Sequence, residues 1–229
     1  MEKKWRFLLI LCCFLSLGMK VTGLNYKSYT SISAEKRAIE KKEKQNKLSK
    51  LVFSTSPSLK RMEKNIKRKK VELDKKSKGE YKKNEYNRRK GVILVTPDYM
   101  KGLLPTGHSS ICYNKAKVIE ANVDGVEFGK NNWNVSKKQS YIVTLKKTTA
   151  KQDEMLAEYC KRQINKKYNF NYFDINTRSG FYCSQLIYAA AKDLYKINLN
   201  GSAFYSILGN PIHPLELVDN SKVTLLYRK

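Results

Sequence analysis

Acidic residues, histidines and cysteines are scarce in this sequence. Its 229 residues include 20 Asp and Glu against 46 Lys and Arg, with two histidines and five cysteines. Cys112, Cys160 and Cys183 are the only cysteines after residue 23, too few and too odd in number for a disulfide framework. Two histidines without a matching acidic cluster give no metal-site spacing, and no phosphate-cradling glycine loop is present. We therefore expect a protein that folds on an apolar core, uses no metal or cofactor, and has a free thiol.

Long hydrophobic runs are also lacking. An apolar run from Phe7 to Met19 is shorter than the roughly 20 residues that a membrane-spanning helix needs. It follows the basic residues Lys3, Lys4 and Arg6 and ends before small residues at 21–23. This pattern predicts a secretory signal peptide over residues 1–23, with an uncleaved anchor as the alternative. The mature protein would then be secreted or associated with the cell wall.

Residues 24–90 have an extreme charge balance. They hold 23 Lys and Arg against 8 Asp and Glu, a net charge of +15 out of +26 for the chain. Apolar residues are sparse, so we expect a Lys-rich arm outside the fold, with transient helices at most around 34–51 and 59–73. The charge favours a polyanionic partner, either a wall polymer or an anionic membrane surface, and secretion disfavours nucleic acid. A solvated spacer is the alternative.

Residues 91–229 are long enough for one domain. Alternating and apolar stretches predict strands, whereas apolar residues at helical spacing predict a helix over 149–165, with Met155, Leu156 and Cys160 on its inner side, and a second helix from Ser184. The strands are expected at 91–96, 108–114, 117–122, 140–145 and 223–227, and 123–134 is expected to be a loop or short strand. Helices interleaved with an antiparallel sheet define an α+β fold.

Cys183 is the candidate nucleophile. It lies at the predicted start of the second helix, after the turn residue Gly180. Unpaired backbone N–H groups and the helix dipole both favour a thiolate at that position. A buried structural cysteine is the alternative.

His108 and Glu120 are its candidate partners. His108 follows a glycine at the start of a strand and can exchange protons at neutral pH, while Glu120 lies in an apolar stretch of the next strand and needs a partner such as an imidazole N–H. A two-residue hairpin turn would place the two on opposite faces of the sheet. A three-residue turn or a bulge would pair His108 with Asn122 and bring Glu120 to the same face. Glu120 could also simply face solvent.

His213, held between two prolines, is expected to have a packing or rim role.

The chain resembles the YiiX/YaeF-like hydrolases, the circularly permuted branch of the NlpC-type, papain-fold cysteine peptidases. The resemblance covers about residues 91–229 and is carried by four short segments, which are 91–96, 105–108, 118–121 and 182–186. The order His, acid, Cys is that of the permuted branch. The resemblance implies a circularly permuted papain-like fold in which Cys183 is the nucleophile, His108 the base and Glu120 the orienting residue. It also implies that Tyr182 and Gln185 contact substrate, although Gln185 stands where many members carry Glu.

Three functions follow as hypotheses. The first is a secreted cysteine hydrolase of amide or peptide bonds in cell-wall peptidoglycan, acting through a thioester. The second is a lipid-directed thiol acyltransferase or esterase at a membrane surface. The third is a catalytically silent wall-binding protein, against which the intact Cys, His and Glu set argues.

Overall fold

The computed structural model describes residues 33–44, 47, 52–53, 56–98 and 107–229. The predicted signal peptide lies outside this part of the chain. The chain divides into two compact units, 1–44 and 45–229. In the first unit the structure describes one helix, α1, over residues 33–44.

The second unit contains helices on an antiparallel sheet, as predicted. Its helices are α2 (Ser56–Arg68), α3 (Trp133–Ser136), α4 (Ala150–Lys161), α5 (Cys183–Tyr195) and α6 (Pro214–Asp219), with a short 3-10 helix at Lys75–Ser77. Its strands are β1 (Ile93–Thr96), β2 (His108–Cys112), β3 (Lys117–Asn122), β4 (Gly125–Lys130), β5 (Tyr141–Leu145), β6 (Lys167–Tyr168), β7 (Gly180–Phe181) and β8 (Val223–Arg228). In the part of the chain described, no helix combines the length and apolar character needed to cross a membrane.

The main sheet has the order β4-β3-β2-β1-β5-β8, and every neighbouring pair is antiparallel. The central strand β1 is buried along its whole length, which explains its unbroken apolar sequence. One face of the sheet, including Ile93, Val95 and Ile111, joins the large core formed with the helices. The other face packs against Tyr86 and Trp133 in a smaller core. The cysteine-bearing helix α5 lies on the first face and contacts β2.

The structure corrects the expected boundary at residue 91. Leu59, Met62 and Ile66 of α2 are buried in the main core, where α2 contacts α6. Segment 71–72 extends the edge of the sheet, because Val71 pairs with Leu225 of β8 and the Glu72 amide donates to the Leu225 carbonyl at 2.8 Å. Residues 56–90 therefore belong to the folded unit. In α2 three apolar residues suffice, because Leu59, Met62 and Ile66 recur at helical spacing and face the core.

A cluster of buried ion pairs connects residues 74–89 to the rest of the domain. The carboxylate of Asp153 on α4 binds Lys76 at 3.1 Å and Arg89 at 2.9 Å, and Arg89 also binds Asp74 at 2.8 Å. Asp153 also accepts hydrogen bonds from Thr144 and Thr148. Because both carboxylates are buried and paired, breaking either contact would leave an uncompensated charge inside the protein. Some of the charged side chains of residues 56–90 are thus paired inside the protein.

Two smaller expectations are decided by the structure. The stretch 123–134 contains a full strand, β4, which pairs with β3 along six residues. Met155, expected on the inner side of its helix, is 44% exposed, whereas Leu156 and Cys160 are buried as predicted.

Candidate active site

A three-residue hairpin turn brings His108 and Glu120 to the same face of the sheet. Ser110 pairs with Glu120 and Cys112 with Val118, so the turn between β2 and β3 contains residues 114–116. This is the second of the two registers expected from the sequence. In it, His108 Nε2 lies 2.8 Å from Glu120 Oε2.

The backbone before His108 requires a glycine. Gly107 has a φ of 56°, in the left-handed region, and a β-carbon there would come 2.9 Å from the Thr96 carbonyl oxygen. The His108 ring then lies 5.5 Å from the ring of Trp133, at an interplanar angle of 31°. Trp133 is buried and covers one face of the imidazole. The ring is therefore held by the β2 backbone, by Glu120 and by Trp133.

Glu120 is an ionised acceptor. Burial alone would raise its pKa, but the hydrogen bond and charge of His108, together with a hydrogen bond from Asn122, outweigh burial and hold the pKa of Glu120 below its usual value. Its carboxylate occupies space that is open because residue 129 on β4 is glycine. A carboxylate of this kind fixes the imidazole orientation and stabilises its charged form.

Cys183 is the first residue of α5, and its thiol interacts with both His108 and Ser109. Burial raises the pKa of the Cys183 thiol, but the contacts with His108 and with the backbone and hydroxyl of Ser109 more than offset burial, so the net pKa is lowered. Since Nε2 of His108 binds Glu120, Nδ1 is the ring nitrogen that is left for the sulfur. The arrangement therefore has the sequence carboxylate, imidazole, thiol.

His108 and Cys183 shift each other in opposite directions. Burial disfavours the imidazolium, yet the hydrogen bonds and charges of Cys183 and Glu120 raise the pKa of His108 to about 9. A raised imidazole pKa beside a lowered thiol pKa favours a thiolate–imidazolium pair, which is the reactive form of a nucleophilic cysteine.

The other two described cysteines are inert by comparison. Burial raises the pKa of Cys112 to about 12 and raises that of Cys160 still further. Neither has an imidazole among the groups that shift its pKa. The thiol that the sequence singled out is thus the one in a thiolate-stabilising environment.

Tyr182 and Gln185, for which the resemblance implied substrate contacts, are both buried and bonded to protein partners. Tyr182 is buried, and its hydroxyl donates to the Tyr172 carbonyl and accepts from the Ile212 amide. The Gln185 side chain is fully buried, where it accepts from the Asn169 side chain and donates to the carbonyls of Asp174 and Thr177. Both residues hold neighbouring loops, because their polar atoms are occupied by protein partners.

His213 has the packing role that its prolines suggested. It is buried at the start of α6, where its Nδ1 accepts from the Leu215 amide, and its ring lies 5.1 Å from that of Phe53. Within the described residues, no group of three or more His, Cys, Asp or Glu side chains is arranged to hold a metal ion.

Sequence reasoning missed three residues around the site, namely Ser109, Gly129 and Trp133. The one available signal was Gly129, since a glycine inside a strand often marks a close approach of another group. Ser109 and Trp133 carried none, because their importance depends on which helix covers the sheet and where α3 lies.

An antiparallel sheet that presents a paired histidine and carboxylate to a thiol at a helix N-terminus defines a cysteine hydrolase of papain-like architecture. A sequence profile described as permuted papain-like amidase enzyme, YaeF/YiiX, C92 family, matches residues 92–213, slightly more than half of the chain. The chain belongs to this permuted papain-like amidase family, and it is an enzyme of the cysteine peptidase or amidase type.

A solved structure with a similar fold is described as metalloprotein yiiX from Escherichia coli O157:H7. It is 14% identical in sequence, and the alignment covers 62% of this chain and 97% of the other, with a TM-score of 0.48. No curated protein matches the sequence.

Proposed function

We propose that Cys183, His108 and Glu120 hydrolyse an amide or peptide bond through a thioester intermediate. The observation that carries this proposal is the position of His108, bound to Glu120 through Nε2 at 2.8 Å and in contact with the Cys183 thiol. The same imidazole can therefore take the thiol proton while the carboxylate stabilises the resulting charge.

The proposed reaction has two halves. In the first, the Cys183 thiolate attacks the substrate carbonyl carbon, the C–N bond breaks, and the His108 imidazolium gives its proton to the leaving amine. In the second, neutral His108 takes a proton from water, the resulting hydroxide attacks the thioester carbonyl, and the C–S bond breaks to release the acid and the thiolate. The backbone N–H of Cys183 at the start of α5 is suited to hold the oxyanion.

We propose a peptide amide of cell-wall peptidoglycan as the substrate and a secreted or wall-associated location. A cleft of about 660 Å³, whose lining includes Lys167, Asp174, Thr177 and Gly180, would suit a polar substrate, and Gly180 precedes Cys183 by three residues in the chain. The basic residues would favour contact with an anionic wall polymer. The apolar run at the N-terminus supports export.

A lipid-directed acyltransferase or esterase is the second candidate. The observation that favours it is a group of exposed apolar side chains at 205–208, which a soluble wall enzyme does not need. A silent binding protein is disfavoured, because a lowered thiol pKa beside a paired histidine has no use in binding a wall polymer.

The test is to incubate the purified chain separately with peptidoglycan and with acyl phospholipids and to identify the products by mass spectrometry. We expect new amino and carboxyl termini in wall peptides, absent with Cys183→Ala and with His108→Ala. Released fatty acid or transferred acyl chains, with intact wall peptides, would instead assign the lipid reaction. Products that persist in Cys183→Ala would contradict the proposed chemistry for both substrates.

A further inference from the structure

The loop before α6 exposes a group of large apolar side chains. We define the apolar tip as Tyr205, Ile207 and Leu208, which are 76%, 99% and 69% exposed. Isolated apolar residues on a surface are common, whereas three within four residues at the end of one turn are not. The tip is therefore a candidate contact surface.

The turn that carries the tip is closed by two backbone hydrogen bonds. The Ser206 amide donates to the Gly209 carbonyl at 2.9 Å, and the Gly209 amide donates to the Ser206 carbonyl at 3.1 Å, which leaves Ile207 and Leu208 at the end. Gly209 has a φ of 138° and packs so closely on Phe173 that a β-carbon would come 2.9 Å from its carbonyl oxygen. The exposure of the tip thus follows from a defined turn.

The base of the same turn is anchored in the main core. Phe204 is 5% exposed, and its ring lies 5.0 Å from that of Phe53 and 5.5 Å from that of His213. Core packing is thus available one residue before Tyr205, yet the next apolar side chains point outward. This separation of an anchored base from an apolar end is what a membrane-inserting loop requires.

A basic helix lies beside the base of the turn. Ser58 near the start of α2 donates a hydrogen bond to the Ala203 carbonyl at 3.0 Å. The helix carries five Lys and Arg residues and one Glu. Leu59, Met62 and Ile66 face the core, and the exposed side includes Lys60, Arg61, Lys64, Lys67 and Arg68. Such a face attracts an anionic lipid surface over about a Debye length, roughly 8 Å at physiological salt.

We propose that the apolar tip inserts into an anionic phospholipid bilayer while the basic face of α2 contacts the lipid head groups. A bilayer is the partner that meets both surfaces, because it offers negative charge and an apolar interior. A wall polymer offers only the charge, and a second copy of a chain with net charge +26 is repelled. The proposal involves none of the reacting residues, so it stands or falls separately from the hydrolase chemistry.

The test places a tryptophan at the tip of the full chain. Trp5 and Trp133 are the native tryptophans, and Trp133 is buried, so the background carries Trp5→Phe. Ile207→Trp reports on the tip. Val135→Trp is the matched control, because Val135 is also apolar and 77% exposed but lies on α3. The probes are vesicles of phosphatidylcholine with phosphatidylglycerol, and of phosphatidylcholine alone, both with brominated acyl chains.

In vesicles that contain phosphatidylglycerol, we expect the fluorescence of the tryptophan at position 207 to shift to shorter wavelength and to be quenched by the brominated lipids. The fluorescence of a tryptophan at position 135 should change little. The double variant Ile207→Ser, Leu208→Ser should bind these vesicles roughly tenfold less tightly or worse, whereas Val135→Ser should bind as before. Raising the salt concentration should weaken binding of every variant.

Three outcomes would overturn the proposal. The first is equal quenching, or none, at positions 207 and 135. The second is vesicle binding that depends on salt but is unchanged by Ile207→Ser, Leu208→Ser, which would assign binding to charge alone. The third is a dimer in sedimentation velocity that the double variant dissociates, which would assign the tip to a second copy of the chain.

Discussion

Gly129 on β4 leaves the space into which Glu120 of β3 directs its carboxylate. A β-carbon at position 129 would overlap Oε1 of Glu120, the oxygen next to the one that binds His108. The obstructing atom would be the end of a flexible side chain, so the protein would accommodate Gly129→Ala by moving the carboxylate and keeping its fold. The orientation of the histidine therefore depends on a missing side chain one strand away.

We expect Gly129→Ala to lower kcat roughly tenfold with an unchanged melting temperature, because small displacements of an orienting group are costly to a reaction. Kinetics on a soluble amide substrate, with thermal unfolding in parallel, would measure both. The control is the double-mutant cycle with Glu120→Ala. In that background Gly129→Ala should have almost no further effect, and a full additional loss would show that it acts elsewhere.

Ser109 should tune the nucleophile through its hydroxyl. Its hydroxyl is buried without a hydrogen-bond partner among the described residues, so its dipole is free to favour the neighbouring Cys183 thiolate and to lower the thiol pKa. We expect Ser109→Ala to move the pKa of Cys183 upward, measured from the pH dependence of iodoacetamide alkylation. Ser110→Ala is the matched control, because that hydroxyl is equally buried but lies on the opposite face of β2. An equal shift in both variants would contradict a specific role for Ser109.

The pH profile of activity should be bell-shaped. Activity is expected to fall in acid as the thiolate gains a proton, below the usual pKa of a cysteine, and in base as the His108 imidazolium loses its proton near pH 9. At neutral pH iodoacetamide should label Cys183 well before Cys112 and Cys160, whose pKa values are raised. Mass spectrometry of the labelled peptides checks this order. Equal labelling of all three would contradict an activated thiolate.

The raised pKa of His108 also makes the stability of the fold depend on pH. A histidine with a folded-state pKa near 9, above the usual 6.5, holds a proton that the unfolded chain has released between those values. Its contribution is therefore fully present below about pH 6.5 and is lost as the pH rises through about 9. The lowered pKa of Cys183 acts in the opposite direction over this range, so the comparison is made in the Cys183→Ala background. There we expect adding His108→Ala to reduce the decline in unfolding free energy with rising pH, measured by urea denaturation at several pH values.

Two truncations should separate the dispensable part of the basic segment from the structural part. Deleting residues 1–44 removes the first compact unit and should leave the melting temperature of the rest almost unchanged. Deleting residues 1–88 also removes Leu59, Met62 and Ile66, each worth about 1.5–3 kcal/mol of burial, a large share of the roughly 5–15 kcal/mol that stabilises a typical domain. We expect the longer deletion to aggregate or unfold. A stable, active protein lacking residues 1–88 would show that α2 is not needed for folding.

The sequence alone determined the fold class and the positions of the three candidate reacting groups on their helix and strands. Cys183 at a helix start, His108 at a strand start and Glu120 in the next strand follow from local patterns, because helical and strand periods and N-terminal dipole effects act over a few residues. Their order along the chain also indicated the permuted family, which the profile match confirmed.

Tertiary structure decided what depends on distant neighbours. Glu120 shares a face of the sheet with His108 only if the hairpin turn has three residues and not two. The length of the turn is set by the pairing of β2 with β3 along the whole hairpin. Tyr182 and Gln185 lie beside the nucleophile in sequence, but their side chains are enclosed by the loops at 169–177 and 212, which only the folded chain brings to them. The high charge of residues 56–90 concealed a buried helical stripe and internal charges, because Lys76 and Arg89 of this segment are paired with the buried carboxylates of Asp74 and of Asp153 on α4. The amino-acid composition describes a segment as a whole. Whether a single side chain is buried depends on which other parts of the folded chain pack against it.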